Sequence, residues 1–93
     1  MTKVLIWNEF LHEVENNDVK SIYPNGIHYC IKEFLSNDKS LKIETATLRE
    51  KNNGITEERL KDCNVLIWWG HKAHNEVLQE TVNLVQRRVL EGM

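Results

Sequence analysis

Histidine and carboxylate side chains fall together at two places in this chain. "NEFLHE", Asn8 to Glu13, holds Glu9, His12 and Glu13, and "WGHKAH", Trp69 to His74, holds His71 and His74. Neutral imidazole is a common zinc ligand, carboxylates complete or orient such a set, and an open coordination position polarises a carbonyl or activates water. Without a metal, histidine titrates near neutrality and moves protons as general acid or base. His12, Glu13 and His71 are therefore the candidates for catalysis. His12, His71 and His74 are the candidates for holding a divalent metal, with zinc the best match to that donor set. Asn8, Glu9, His28, Trp69 and Gly70 are the candidates for contacting a substrate beside them. The zinc-protease pattern HExxH is absent, because "HEVEN" has Asn16 where the second histidine belongs.

Each of these residues also has an ordinary explanation. Large aromatics are mostly buried, so Trp7 and Trp68 read as core, while Trp69, alternating with Trp68, faces the other way and can line a crevice. Gly70 suits a sharp turn or a close backbone approach. His71 and His74 can be solvated or cap a helix, and exposed carboxylates such as Glu9 and Glu13 are usually hydrated. Only convergence in space would turn these side chains into a site.

The elements that would bring them together are legible. "KVLIW", Lys3 to Trp7, and "NVLIWW", ending at Trp69, are continuous apolar runs, the pattern of strands covered on both faces. "LKIETATL", Leu41 to Leu48, has β-branched content with imperfect alternation and reads as a strand nearer a sheet edge. The stretch between Trp7 and Tyr23 reads as a polar connection. Ile27, Cys30, Ile31, Phe34 and Leu35 recur at the helical period after Pro24 and Gly26, and "SND" closes that helix. Thr56 is a good N-cap for a short helix over Glu57 to Asp62. Asn75 is a fair N-cap for a last helix whose Leu78, Val82, Val85 and Val89 share one face, with Arg87 and Arg88 at its negative end and Gly92 as its stop. Strands alternating with helices predict a parallel α/β sheet with right-handed crossovers, in the order 2-1-3. In such a sheet ligands sit outside the carboxyl ends of the strands. The loops after Trp7 and Trp69 share that edge with the start of the first long helix, which adds Asn25, Gly26 and His28. All four histidines then converge.

Composition narrows the partners. The chain has 93 residues and a formal net charge of -2, with acids and bases interspersed. One small domain without a basic footprint is a poor ligand for nucleic acid or an anionic membrane. The apolar run near the N-terminus is too short for a signal peptide or a membrane span, which predicts a cytoplasmic protein. Cys30 and Cys63 lack the spacing of a zinc knuckle or a CxxC pair and read as small buried hydrophobes. No nucleotide cofactor is expected.

Three stretches, "VLIWNEFLHE", "IYPNGIH" and "VLIWWGHKAHNEV", together resemble the N-terminal portion of the ThuA family of trehalose-utilisation proteins. The resemblance runs in order along essentially the whole chain. It implies a flavodoxin-like domain of the class I glutamine amidotransferase type, acting on trehalose, related disaccharides or their keto derivatives. ThuA-like domains are longer, so residues 1–93 are expected to be the N-terminal part of one such domain, with an incomplete sheet. In that architecture the next strand leads to the nucleophile position, and neither cysteine is placed to substitute for it. Three readings stay open: an enzyme of sugar metabolism, a non-catalytic carbohydrate-binding or regulatory module, and an inactive fragment. The expected partners are a small carbohydrate and either a second copy of the chain or the remainder of the domain.

Overall fold

The first strand, β1 (Thr2–Asn8), is buried from Val4 to Asn8, which an apolar run achieves only in the middle of a sheet covered on both sides. The computed structural model places it there, flanked by β2 (Leu41–Thr47) and β3 (Val65–Trp69), both parallel to it, in the order β2-β1-β3. The structure describes residues 2–70 and 73–93, without the side chains of His12 and His74. The 2-1-3 order expected from the sequence is the observed one. β2 ends at Thr47, one residue short of the expected Leu48.

Alternation along β1 sends its side chains to two different layers. Leu5 and Trp7 join Ala46, Ile55, Leu60 and Cys63 in one buried cluster. Leu60 comes from α4 (Glu57–Lys61), and Leu84 and Val85 from α5 (Gln79–Leu90) pack against the same cluster. In register, Trp7 lies opposite Trp68, so both indoles leave the same face and stack with centroids 3.7 Å apart. Their role as core is thus observed. α3 (Ile27–Leu35) lies against β1 and β2 and contributes nothing to that cluster, so it covers the opposite face.

Local chemistry fixes the helix ends. The Thr56 hydroxyl accepts from the Arg59 backbone N–H, capping α4 as expected. Arg88 closes the other end of α4, donating from its guanidinium to the Leu60 carbonyl at 2.6 Å and the Cys63 carbonyl at 2.6 Å. The Leu60 carbonyl also accepts the Cys63 N–H at 3.1 Å in a tightened last turn, and a cation there opposes the negative helix end. Gly92 follows α5 with φ +105°, as a C′ residue should.

Several expectations are corrected. The polar connection between Trp7 and Tyr23 contains two short helices, α1 (His12–Glu15) and α2 (Asn17–Ile22). Neither has the long apolar period that would reveal it, and α2 buries no residue. Asn16, the residue that breaks the HExxH pattern, caps α2 by accepting from the Asp18 and Val19 N–H groups. α5 begins at Gln79 with Leu78 as its N-cap, whereas Asn75 sits in a short 3-10 turn over His74–Glu76. Cys63 is buried as expected, but Cys30 is exposed. Phe34, assigned to the same apolar face, is 76% exposed. The helical period identifies a face of α3, yet no residue of that helix is fully covered, although it packs on β1 and β2. Val82 and Val89 likewise remain exposed on α5, whose buried residue is Thr81.

Candidate functional site

The carboxyl ends of β1 and β3 meet at one edge. The Glu9 N–H donates to the Trp69 carbonyl at 3.1 Å, so the two chain exits are tied together just beyond the strands. Asn8 shares the α3 side of β1 with Val4 and Ile6, which aims it at the start of α3. Its Nδ2 donates to Glu13 Oε2 at 2.5 Å and lies 3.0 Å from His28 Nδ1. Glu13 Oε2 also accepts the Ile27 N–H at 2.9 Å, so a buried carboxylate caps the N-terminus of α3, where the helix dipole favours negative charge. The sequence therefore brings Asn8, Glu13 and His28 into one network from three separate elements.

The approach is close enough to require glycine at position 26. Gly26 has φ +97°, and a Cβ there would stand 2.4 Å from His28 Cε1 and 2.7 Å from Phe10 Cε2. Phe10 meets the His28 ring edge-on, with centroids 5.3 Å apart. Phe10 was not among the residues singled out from sequence; an isolated aromatic between two acidic groups has no period to mark it.

Two oxygens of this network are unsatisfied. Asn8 Oδ1 and Glu13 Oε1 are buried and have no hydrogen-bond partner among the described residues. Because buried polar atoms are overwhelmingly paired, such acceptors mark a place for a donor: a hydroxyl, an ammonium or a cation.

His28 is the donor of its network only through Nε2. With Asn8 Nδ2 donating, Nδ1 accepts and the ring proton resides on Nε2, the tautomer that the contact assigns. Burial pushes the His28 pKa below its ordinary value, and the negative charges of Glu13 and Glu50 offset this only in part. The unfolded chain then binds more protons than the native one once the pH drops below the ordinary histidine value of ~6.5. Stability is highest above that pH and declines as the pH falls toward the lower native pKa. A urea titration series from about pH 8 to about pH 5 should show this decline, and His28→Asn should reduce its slope relative to the parent chain, which retains the other histidines in both cases. An unchanged slope would exclude His28 as a contributor.

Glu9 takes a different direction from Glu13. It is buried, and its Oε2 accepts the Ala73 N–H at 2.9 Å. That bond anchors the connection carrying the second histidine pair to the end of β1. Trp69, opposite Asn8 in the register, is 43% exposed, and Gly70 follows it directly, half-buried.

The metal expectation rests on residues outside this network. His71 lies outside the described residues, as do the side chains of His12 and His74; the backbone places His12 at the start of α1 and His74 at the start of the 3-10 turn. Among the described residues no three His, Cys, Asp or Glu side chains gather around a common point. Glu9, Glu13 and His28 already bond protein groups, so they do not make a metal site by themselves, and ligation would depend on His12, His71 and His74. Among the described residues no helix is long and apolar enough to cross a membrane. Compared with known proteins, the chain matches no family model and no curated protein.

Proposed function

We propose that this chain is a ThuA-like protein of sugar utilisation, with a flavodoxin-like domain that binds trehalose or a related disaccharide at the carboxyl edge of its sheet. The observation that carries the reading is the pair of unsatisfied acceptors, Asn8 Oδ1 and Glu13 Oε1, at the end of β1. Sugar hydroxyls are donors of the kind these oxygens lack, and the exposed indole of Trp69 beside Asn8 offers an apolar surface to a sugar ring. The parallel 2-1-3 sheet supports the reading, since its crevice opens between β1 and β3, where these residues are. In this reading His28, with its proton on Nε2, and Glu13 orient a hydroxyl and exchange a proton with it. A divalent metal, zinc first, belongs to the proposal through His12, His71 and His74; when bound it supplies polarisation of a carbonyl or of water. The protein is proposed to act in the cytoplasm.

Isothermal titration with trehalose and, separately, with zinc chloride tests this. Trehalose should bind the parent chain and give no heat with Asn8→Ala, provided circular dichroism shows that variant folded. Zinc affinity should fall by roughly a hundredfold in His71→Ala and His12→Ala and by less than about tenfold in His28→Ala, since losing a ligand exceeds losing a neighbour of one. Zinc binding unaffected by the first two changes would remove the metal from the proposal and leave a carbohydrate-binding edge. No binding of trehalose by the parent chain would remove that substrate.

A further inference from the structure

Phe10 holds a backbone conformation that its side chain disfavours. Its φ is +56°, and the other described non-glycine residues with positive φ are Asn52 and Asn53, a type that tolerates it. A bulky residue there persists only where its surroundings enforce it, and such residues gather at functional sites. The enforcement comes from both outer strands. One residue earlier, Glu9 is tied to the end of β3 through its N–H and to Ala73 through its carboxylate. The Phe10 carbonyl accepts from Arg49 Nε at 3.3 Å, which ties it to the segment that follows β2.

What the strained turn gains is contact with His28. The Phe10 ring meets the imidazole edge-on, and Phe10 Cε2 and His28 Cε1 together crowd the space where a Cβ on Gly26 would stand. Asn8 Nδ2 beside Nδ1 supplies the third restraint. Gly26, Phe10 and Asn8 thus confine one ring, whereas Nε2 bonds none of the described residues. We propose that Phe10 is a positioning residue: strained in backbone and latched by Arg49, it wedges His28 into one orientation, with Nδ1 on Asn8 and the Nε2 proton left for the oxygen of a ligand hydroxyl. The part concerning the ligand rests on the carbohydrate reading above; the part concerning His28 does not. An imidazole free to turn would divide its proton between both nitrogens and would lose that freedom at each binding event. The wedge removes this loss in advance.

Proton–nitrogen correlation spectra of the isotope-labelled full chain at about pH 8, where an ordinary histidine is neutral, read the tautomer directly. Parent His28 should show one protonated and one bare nitrogen, well separated in shift. In Phe10→Ala the two shifts should move toward each other, as a ring sampling both tautomers averages them. Arg49→Ala alters an exposed side chain and should produce the same movement to a smaller extent, which keeps the test decisive should Phe10→Ala fold poorly. Phe34→Ala, further along α3, should leave both shifts in place. Phe10→Gly should melt roughly 4 °C or more above Phe10→Ala, because only glycine is relieved of the left-handed strain. Trehalose affinity should fall about fivefold to tenfold in Phe10→Ala. Shifts unchanged in both Phe10→Ala and Arg49→Ala overturn the proposal, as does equal movement in Phe34→Ala or a Phe10→Ala that melts no lower than Phe10→Gly. A parent chain that binds no trehalose removes that substrate, and the nitrogen shifts still decide the positioning. Trehalose bound equally well by a variant with a released His28 overturns the role in binding.

Discussion

Asn53→Ala is expected to destabilise the protein by about 3 to 5 kcal/mol, enough to remove much of the stability of a domain this small. Asn53 is buried between the end of β2 and the start of α5. Its Oδ1 accepts the Leu78 N–H at 2.8 Å and the Thr81 hydroxyl at 3.1 Å, and its Nδ2 donates to the Leu48 carbonyl at 3.2 Å. Its own carbonyl accepts the Trp7 indole N–H at 2.8 Å. One side chain thus joins the end of β2 to the start of α5, and its backbone steadies the central tryptophan. Alanine would leave three polar groups without this partner, two of them around the buried Thr81 and the entry to α5, at roughly 1 kcal/mol or more each. It would also hold φ +57°, where a Cβ without a compensating polar group costs a further 1 kcal/mol or so. Thermal unfolding should shift down by more than about 12 °C. Asn53→Gly should recover the backbone part, about 1 kcal/mol, and none of the rest. A melting point for Asn53→Ala within about 4 °C of the parent would show that the three bonds are individually dispensable.

Glu9→Ala should act on a smaller region with nearly as large a local effect. The Glu9 carboxylate is buried against Ala73, itself buried, and accepts its N–H. A hydrogen bond to a charged group contributes roughly 1.5 to 3 kcal/mol, and its loss leaves the Ala73 N–H unsatisfied in an apolar place. Hydrogen exchange at residues 73–76 should therefore accelerate by roughly tenfold to a hundredfold, while exchange in β1 and β2 rises less. Glu9→Gln keeps an acceptor oxygen and should fall between the two. If zinc binds through His71 and His74, its affinity should drop in Glu9→Ala for the same reason, since the connection that carries both histidines is no longer held. Uniform acceleration across the whole chain would instead make Glu9 a contributor to global stability only.

The strands and their order were readable because the determinants are local and redundant. "KVLIW" and "NVLIWW" need burial on both faces, a three-stranded parallel sheet offers that most fully at its centre, and β1 took the central place. The placement of Asn8, Glu13 and His28 at one edge followed from the same logic, as did the core role of Trp7 and Trp68. What escaped was set by tertiary context. α1 and α2 are four and six residues long, too short to show a period. "KNNG" has the composition of any polar loop; only the structure reveals that Asn53 is buried and in the left-handed region, although adjacent asparagines before a glycine are the residue types that tolerate it. Cys30 and Phe34 lie on the apolar face of α3 by period, but a period cannot tell how wide a surface will be available to cover it.

The central position of β1 also governs how the chain can come into being. Among the described residues every strand pairing in the sheet involves β1, and none is a hairpin: Val4 pairs with Ile43 on one side and Val65 on the other. At ordinary rates of synthesis, the ribosome would release β3 roughly 3 to 12 s after β1. Throughout that interval β1 has at most one of its two neighbours, and the α5 residues that pack against the cluster of Leu5 and Trp7 are made later still. Such a chain is exposed to aggregation while nascent and is a natural client for chaperones that hold exposed apolar segments. Its yield in a cell would then respond to translation speed and chaperone supply as strongly as to the stability of the finished fold.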